Sequence, residues 1–398
     1  MRVAFVTPRY GLEVTGGAET AARMLAEHLV ATLGWEVEAY STCALDPVTW
    51  DDALRPGDDA VNGVTVHRFR AAGRSRAFYD LDGKVRLAPL EASREQSLRW
   101  VDLNGPVSPE LVEAVLASRA DVVCYYPYLY HPTVATIRRV SVPAVLHPAA
   151  HDEPSLYLKV FRGTYAAADA LCYATAAERR LVQRVHPVAD RPQIVLGLGV
   201  GEPSGSGRPG GQLLGIGDRP YLVSVGRVDE HKGSAMLARF FASYKDRHPS
   251  DLTLALVGQV VCEVPDRPDI VLTGAVDEAA KWDIVRGAVA SVSPSALESF
   301  SLVVLEAWEA GVPVVVNAAC APTREHCERS AGGLWFGSYA QFEAVVDRLV
   351  ADAGLRRRLA TNGKAYVDRY YQWPALIARY GDFLGQVAAR GRGPVGVL

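Results

Sequence analysis

The chain has 398 residues, too many for one compact core and enough for two domains of ordinary size. Hydrophobic residues make up 49% and charged residues 22%, a globular balance, and a formal net charge of −3 argues against a broadly basic nucleic-acid binder. No apolar run approaches the roughly 18 residues a membrane span needs, and the six cysteines (Cys43, Cys124, Cys172, Cys262, Cys320 and Cys327) show neither a CxxC pair nor metal-ligand spacing.

The N-terminus, MRVAFVTPRYG, begins a strand at once and leaves no room for a charged leader and cleavage site. Most cysteines sit in apolar, strand-like runs, the pattern of buried reduced thiols, so a cytoplasmic protein is expected. TGGAET (15–20) follows the first strand and opens a helix from Ala18 to Leu33, where Ala22, Leu25, Ala26, Leu29 and Leu33 keep the helical period. The adjacent glycines Gly16 and Gly17 let a ligand approach the backbone, and free amides at a helix start favour phosphate. A plain strand-to-helix turn capped by Thr or Glu explains the same residues. The stretch is not GxGxxG and no acid ends the second strand, which argues against a dinucleotide site.

Further strands are expected at WEVEAYST, VTVHRF, DVVCYY, PAVLH, ALCYAT and QIVLGLGV, alternating with helices as in a parallel sheet. Between them, FYDLDG (78–83) contains a D-x-D, but Asp82-Gly83 reads as a turn and no strand precedes it. The rings of YYPYLYHP (125–132) suit stacking on a sugar or packing in the core. LHPAAHDEP offers two histidines after a strand: His147, whose ordinary role is a capping or core imidazole, and His151, beside Asp152 and Glu153, which would orient it. RRLVQR (179–184) reads as a solvated helix face, or as a weak membrane-surface contact if the acceptor is lipid-linked.

GEPSGSGRPGGQ (201–212) has no apolar anchor and reads as a linker or mobile loop. A second strand series follows: YLVSVGR, LTLALVG, DIVLTGAV, ASVSPS, VPVVVNA and GGLWF. Two doubly wound domains would place a ligand cleft at the carboxyl ends of their sheets. In VGRVDEHKG (225–233), Arg227 and Lys232 follow a strand end and are bracketed by glycines. A guanidinium fork and an ammonium point charge in that position suit a diphosphate. In ESFSLVVLEAWEAG, Glu298 precedes a helix expected to start near Ser299 or Ser301, and Glu306 lies about two turns in. Their separation of about 10 Å along the axis is too long for a shared metal or an acid–base dyad, and it fits one extended polar ligand touched twice. Amides near 299–303 lie between the acids, where a phosphate would be accepted. The plainer alternative, an N-cap glutamate plus a solvent-facing acid, fits Glu306 poorly because Leu305, Ala307 and Trp308 flank it. CAPTREHC (320–327) lacks a fourth zinc ligand, and WPALIARYGDFLGQVAA (373–389) is a helix with an apolar face.

Taken in order, TGGAE, GRVDEHKG, the E-x7-E of ESFSLVVLEAWEAG-VPVV and the terminal YQWPALIARY resemble family 4 of the GT-B retaining glycosyltransferases over nearly the whole chain. The resemblance implies an α/β protein of two Rossmann-like domains with parallel sheets facing across a cleft. Residues 1–200 would form the acceptor side, 201–218 a linker, 219–372 the nucleotide-sugar side, and 373–398 a helix packing back on the first domain. It implies Glu306 on the ribose hydroxyls, Glu298 on the transferred sugar, Arg227 and Lys232 on the diphosphate, Gly16 and Gly17 facing that diphosphate, and amides at Phe300, Ser301 and Leu302 on sugar and phosphate. Family members reading HDEP favour His151 over His147 as the histidine near the sugar. Ser301 departs from the glycine often found there.

The implied reaction is metal-independent transfer of a hexose-type sugar, with retention, from a UDP- or GDP-sugar to a hydroxyl acceptor. The acceptor would be a small molecule or a lipid-linked glycan, in envelope-glycan or natural-product synthesis. No cofactor besides the donor and no nucleic acid is expected, and the protein would act as a monomer or homodimer. No motif pairs a nucleophile with a base, so stabilisation of a departing diphosphate is the expected chemistry. Two other readings use the same residues: a GT-B sugar phosphorylase or synthase, and a non-catalytic nucleotide-sugar-binding subunit. The intact set of Arg, Lys and both glutamates argues against the latter.

Overall fold

Runs such as VAFV and TLALV are buried along their whole length, as strands covered by helices on both faces must be. The computed structural model describes residues 1–14 and 16–393, so Thr15 and the last five residues fall outside it. The chain divides into two units, one of Met1–Leu198 with the segment from Pro374 onward, the other of Gly199–Trp373.

The first unit contains β1 (Arg2–Val6), β2 (Glu36–Thr42), β3 (Gly57–Val61), β4 (Val64–Phe69), β5 (Val122–Tyr125), β6 (Ala144–Leu146), β7 (Ala170–Tyr173) and β8 (Gln193–Val195). They form one sheet in the order β3-β4-β2-β1-β5-β6-β7-β8, parallel throughout except at β3 against β4. Strand β3 was not expected from the sequence. Its GDDAV is mostly exposed and carries no apolar run. It is held as an edge by Asp58 on His67 and Asp59 on Arg68. The second unit contains β9 (Tyr221–Val225), β10 (Thr253–Val257), β11 (Ile270–Gly274), β12 (Ala290–Ser293), β13 (Val314–Asn317) and β14 (Gly333–Phe336). These run parallel in the order β11-β10-β9-β12-β13-β14.

Strand order reverses between β1 and β5 in the first sheet and between β9 and β12 in the second. Open parallel sheets bind ligands at the carboxyl ends beside such reversals. TGGAE follows β1, the tyrosine-rich loop follows β5, GRVDEHKG follows β9 and ESFSLVVLEAWEAG follows β12. Each unit has its own core, built on residues such as Val6, Val123, Leu146 and Phe161 in the first and Leu222, Phe241, Leu254 and Phe336 in the second.

Two further expectations are corrected. The stretch 201–212 is not unanchored: the amides of Ser206, Gly207 and Arg208 donate to the buried Asp283 carboxylate at 2.9, 3.2 and 3.3 Å, and Gly210–Leu213 is helical. It belongs to the second unit, which begins at Gly199. FYDLDG is not a turn but the middle of the helix Arg76–Leu87, where Asp82 accepts the Trp100 indole N–H at 3.0 Å. The terminal helix spans Trp373–Arg390, and its buried Tyr380 hydroxyl lies 2.9 Å from His147 Nε2.

Candidate active site

In the second unit, the backbone leaves β9 through Gly226 and Arg227 and turns back at Gly233. Gly233 has φ 74°, and a Cβ there would lie 2.6 Å from the Pro294 carbonyl, so glycine lets this loop press against the loop after β12. Asp229, 5% exposed, ties the loop together: it accepts the Lys232 amide at 2.6 Å and pairs with the Arg227 guanidinium. Burial alone would raise the Asp229 carboxyl. The Lys232 amide and Arg227 outweigh it and hold the group below the usual aspartate range. The Arg227 side chain stays half exposed, and Lys232 Nζ reaches across to Glu298 Oε1 at 2.7 Å.

The helix after β12 starts at Leu302, with Ser301 as its N-cap. Ser301 sits at φ 71° and ψ 79°, left-handed backbone that glycine would adopt without strain, and its buried Oγ has no hydrogen-bond partner among the described residues. Phe300 is buried behind this turn, edge-on to His326 and Tyr371 with centroids 5.1 and 5.4 Å away. Glu298 is therefore not an N-cap. Glu306 is the fifth helical residue, a little over one turn in, and its Oε1 accepts from Lys281 Nζ at 3.0 Å. Burial pushes the Glu306 carboxyl up, and Lys281 offsets part of that. Each acid of the E-x7-E pair thus holds a lysine from another element.

In the first unit, Gly16 and Gly17 differ. A Cβ on Gly16 would lie 2.1 Å from Glu19 Oε2 and 2.6 Å from Arg9 Nη2, because the buried Arg9–Glu19 ion pair, 2.6 Å long, occupies that space. A Cβ on Gly17 would meet nothing within 4 Å among the described residues. Thr15, weighed as a cap, lies outside the described residues. His151 follows β6 with its side chain 32% exposed and Nδ1 3.9 Å from Glu153 Oε1, beyond hydrogen-bond reach. Asp152, expected to orient it, is engaged by Tyr157 at 2.5 Å and Arg184 at 3.3 Å. His147 is a core imidazole, stacked on Tyr126 with centroids 4.1 Å apart, and burial lowers its pKa to about 3. Tyr125, Tyr126 and Tyr128 are buried packing residues.

Two family models cover the chain in succession: a glycosyl transferase 4-like domain matches residues 16–199 and glycosyl transferases group 1 matches 212–366. The chain belongs to the family-4-like glycosyltransferases. An uncharacterised glycosyltransferase of Methanocaldococcus jannaschii is 23% identical over 394 residues, covering 94% of this chain and 95% of its own. Among solved structures, sucrose-phosphate synthase from Thermosynechococcus elongatus matches with a TM-score of 0.70 at 18% identity, over 98% of this chain and 99% of its own. The Anabaena protein HepE, solved with UDP and glucose, matches with 0.66 at 15% identity, over 97% and 100%. The fold is that of the GT-B transferases.

This glycosyltransferase carries functional candidates that sequence reasoning missed. Asp229 was in view within GRVDEHKG, but its place as the tie between Arg227 and Lys232 is a matter of three-dimensional packing. Lys281, in DEAAKW, has no local signature, because its partner Glu306 is 25 residues away on another helix. Arg9 and Glu19 follow the same rule in the first unit. In CAPTREHC, His326 is committed to the core, with Nδ1 3.1 Å from the Tyr366 hydroxyl.

Proposed function

We propose that the protein transfers a hexose-type sugar, with retention, from a UDP- or GDP-sugar to a hydroxyl acceptor. The observation that carries this reading is the cluster Arg227–Asp229–Lys232–Glu298, which joins the loops after β9 and β12 at the strand reversal of the second sheet. Arg227 and Lys232 supply two cations where a diphosphate leaving group develops charge, and the amides from Phe300 to Leu302 add donors at a helix start. Glu298, beside Lys232, takes hydroxyls of the transferred sugar, and Glu306 takes those of the ribose. Gly17 and His151 are the contributions assigned to the first unit, with Gly16 shaping the same turn. The donor phosphate receives the acceptor's proton, so no separate base is invoked.

The test is a screen of UDP- and GDP-sugars for nucleoside diphosphate release, followed by acceptor screening and NMR of the product anomer. Arg227→Ala and Lys232→Ala are each expected to lower turnover by at least about 100-fold, the scale of losing one fixed charge from a transition state. Unchanged turnover in both variants would sink the assignment. An acceptor screen that includes inorganic phosphate and sugar phosphates distinguishes the transferase from a phosphorylase or a phosphate-sugar synthase.

A further inference from the structure

Lys281 stands in the first turns of the helix Glu278–Arg286, with its side chain only 14% exposed. Its ammonium touches Glu306 Oε1 at 3.0 Å and Glu278 Oε2 at 2.8 Å. An ammonium has three protons to donate; two carboxylate contacts leave one without a hydrogen-bond acceptor among the described residues, the ammonium lying over the Trp282 ring at 5.5 Å from its centroid. On the other side of the pair, Glu306 Oε2 receives no hydrogen bond from the described residues, although the carboxylate is itself only 14% exposed. One free donor and one free acceptor therefore stand side by side at the edge of the site. A mostly buried pair with unused valences on both members is completed by a ligand offering both roles.

We infer that Lys281 and Glu306 together form a vicinal-diol site, in which one hydroxyl donates to Glu306 Oε2 and its neighbour accepts from Lys281 Nζ. This rests on the reading of Glu306 as the ribose-facing acid and adds to it a specific second reader. The cis-diol of a ribonucleotide presents the two adjacent hydroxyls this pair requires, whereas a deoxynucleotide leaves one member unpaired. Sites built to hydrogen-bond a hydroxyl reject ligands lacking it, because the buried partner is then stranded. Burial works against the charge on Lys281, but Glu306 and Glu278 outweigh it and raise its pKa, so the lysine acts as a donor throughout the neutral range.

Calorimetry with UDP and GDP, and with the 2′-deoxy and 3′-deoxy forms of whichever binds more tightly, tests this. The wild type is expected to bind each deoxy form about tenfold more weakly, the scale of one charge-assisted hydrogen bond. Lys281→Met should erase the penalty for one hydroxyl and keep the other, and Glu306→Gln should show the complementary pattern. Loss of both penalties in Lys281→Met, or of neither, overturns the inference and leaves the lysine a counter-ion only. If Glu306→Gln keeps both penalties, or if neither nucleotide binds the wild type, the ribose reading itself fails. Should Lys281→Met not fold, because Glu306 is left buried and uncompensated, the double variant Glu306→Gln/Lys281→Met removes both charges. It is expected to fold and show no penalty; any penalty that remains overturns the diol site.

Discussion

Gly16 and Gly17 look equivalent in TGGAET, yet the structure gives them different reasons to be glycine. Gly16 makes room for the buried Arg9–Glu19 ion pair, whose guanidinium also donates to the Leu45 carbonyl at 2.7 Å. An alanine at 16 must break that pair, and separating a buried ion pair costs about 3 kcal/mol or more. Gly17 has no neighbour to make room for among the described residues, and it is the first residue of the helix Gly17–Leu33, where alanine is favoured over glycine by up to about 1 kcal/mol. Gly17→Ala should therefore match or exceed the wild type in thermal stability. If the backbone at 17 faces the donor diphosphate, the same variant loses donor turnover by about tenfold, since one methyl blocks a close approach. A Gly17→Ala protein with full turnover would show that no ligand comes near. Gly16→Ala cannot answer that question, because its loss of stability precedes any effect on binding.

At the scale of the element, the helix Ala176–Val185 shows how one side chain fixes two loops. Thr175 caps it, its side chain accepting the Glu178 amide at 3.1 Å. The Glu178 carboxylate reaches outward, accepting the Ala174 amide at 2.6 Å and the Ala150 amide at 2.8 Å. Ala150 adjoins His151, so Glu178 sets the course of the loop that presents the candidate histidine. Burial pushes the Glu178 carboxyl up to about 7, against the pull of these amides. A raised carboxyl pKa means that folding favours the protonated form. The advantage is complete below the ordinary value near 4.5 and is lost as pH rises through about 7. Between pH 5 and 8 the wild type should lose up to about 3 kcal/mol relative to Glu178→Gln, which cannot titrate. Denaturation of both proteins across that range measures it, and a pH-independent difference would show that Glu178 does not titrate there. The strands were legible because covered parallel strands need continuous apolar runs. The capping pair Thr175 and Glu178 was in the sequence, but nothing local announces that the glutamate serves a loop 28 residues earlier. Edge strand β3 and the helix through Asp82-Gly83 escaped for the converse reason: exposed residues and a Gly dipeptide carry no burial signal, and tertiary contacts decided them.

For the whole molecule, the chain passes between units at Leu198/Gly199 and again at Trp373/Pro374. The two passages are fastened to each other on the second unit's side: the Val200 amide donates to the Tyr371 carbonyl at 3.0 Å, and Gly199 leaves its Cβ space to the Trp373 ring. The resemblance placed two domains and a connecting segment, but a Gly- and Ser-rich stretch says nothing about what holds it. Its anchor, Asp283, lies 70 or more residues downstream, where its carboxylate collects the Ser206 hydroxyl at 2.6 Å together with three amides. The Ser206 hydroxyl and these amides hold the Asp283 carboxyl below the ordinary aspartate range. Its contribution to stability is therefore present at neutral pH and is lost as the carboxyl protonates in acid. Asp283→Asn keeps the shape of the side chain but turns one acceptor into a donor facing amides that also donate. The expected result in calorimetry is a melting transition for the second unit lowered by several degrees at neutral pH, with the transition of the first unit unmoved, because each unit has its own core. The gap between variant and wild type should narrow as pH falls into the acid range. A uniform shift of both transitions would mean that the units melt as one and that the 201–212 segment stabilises the chain as a whole.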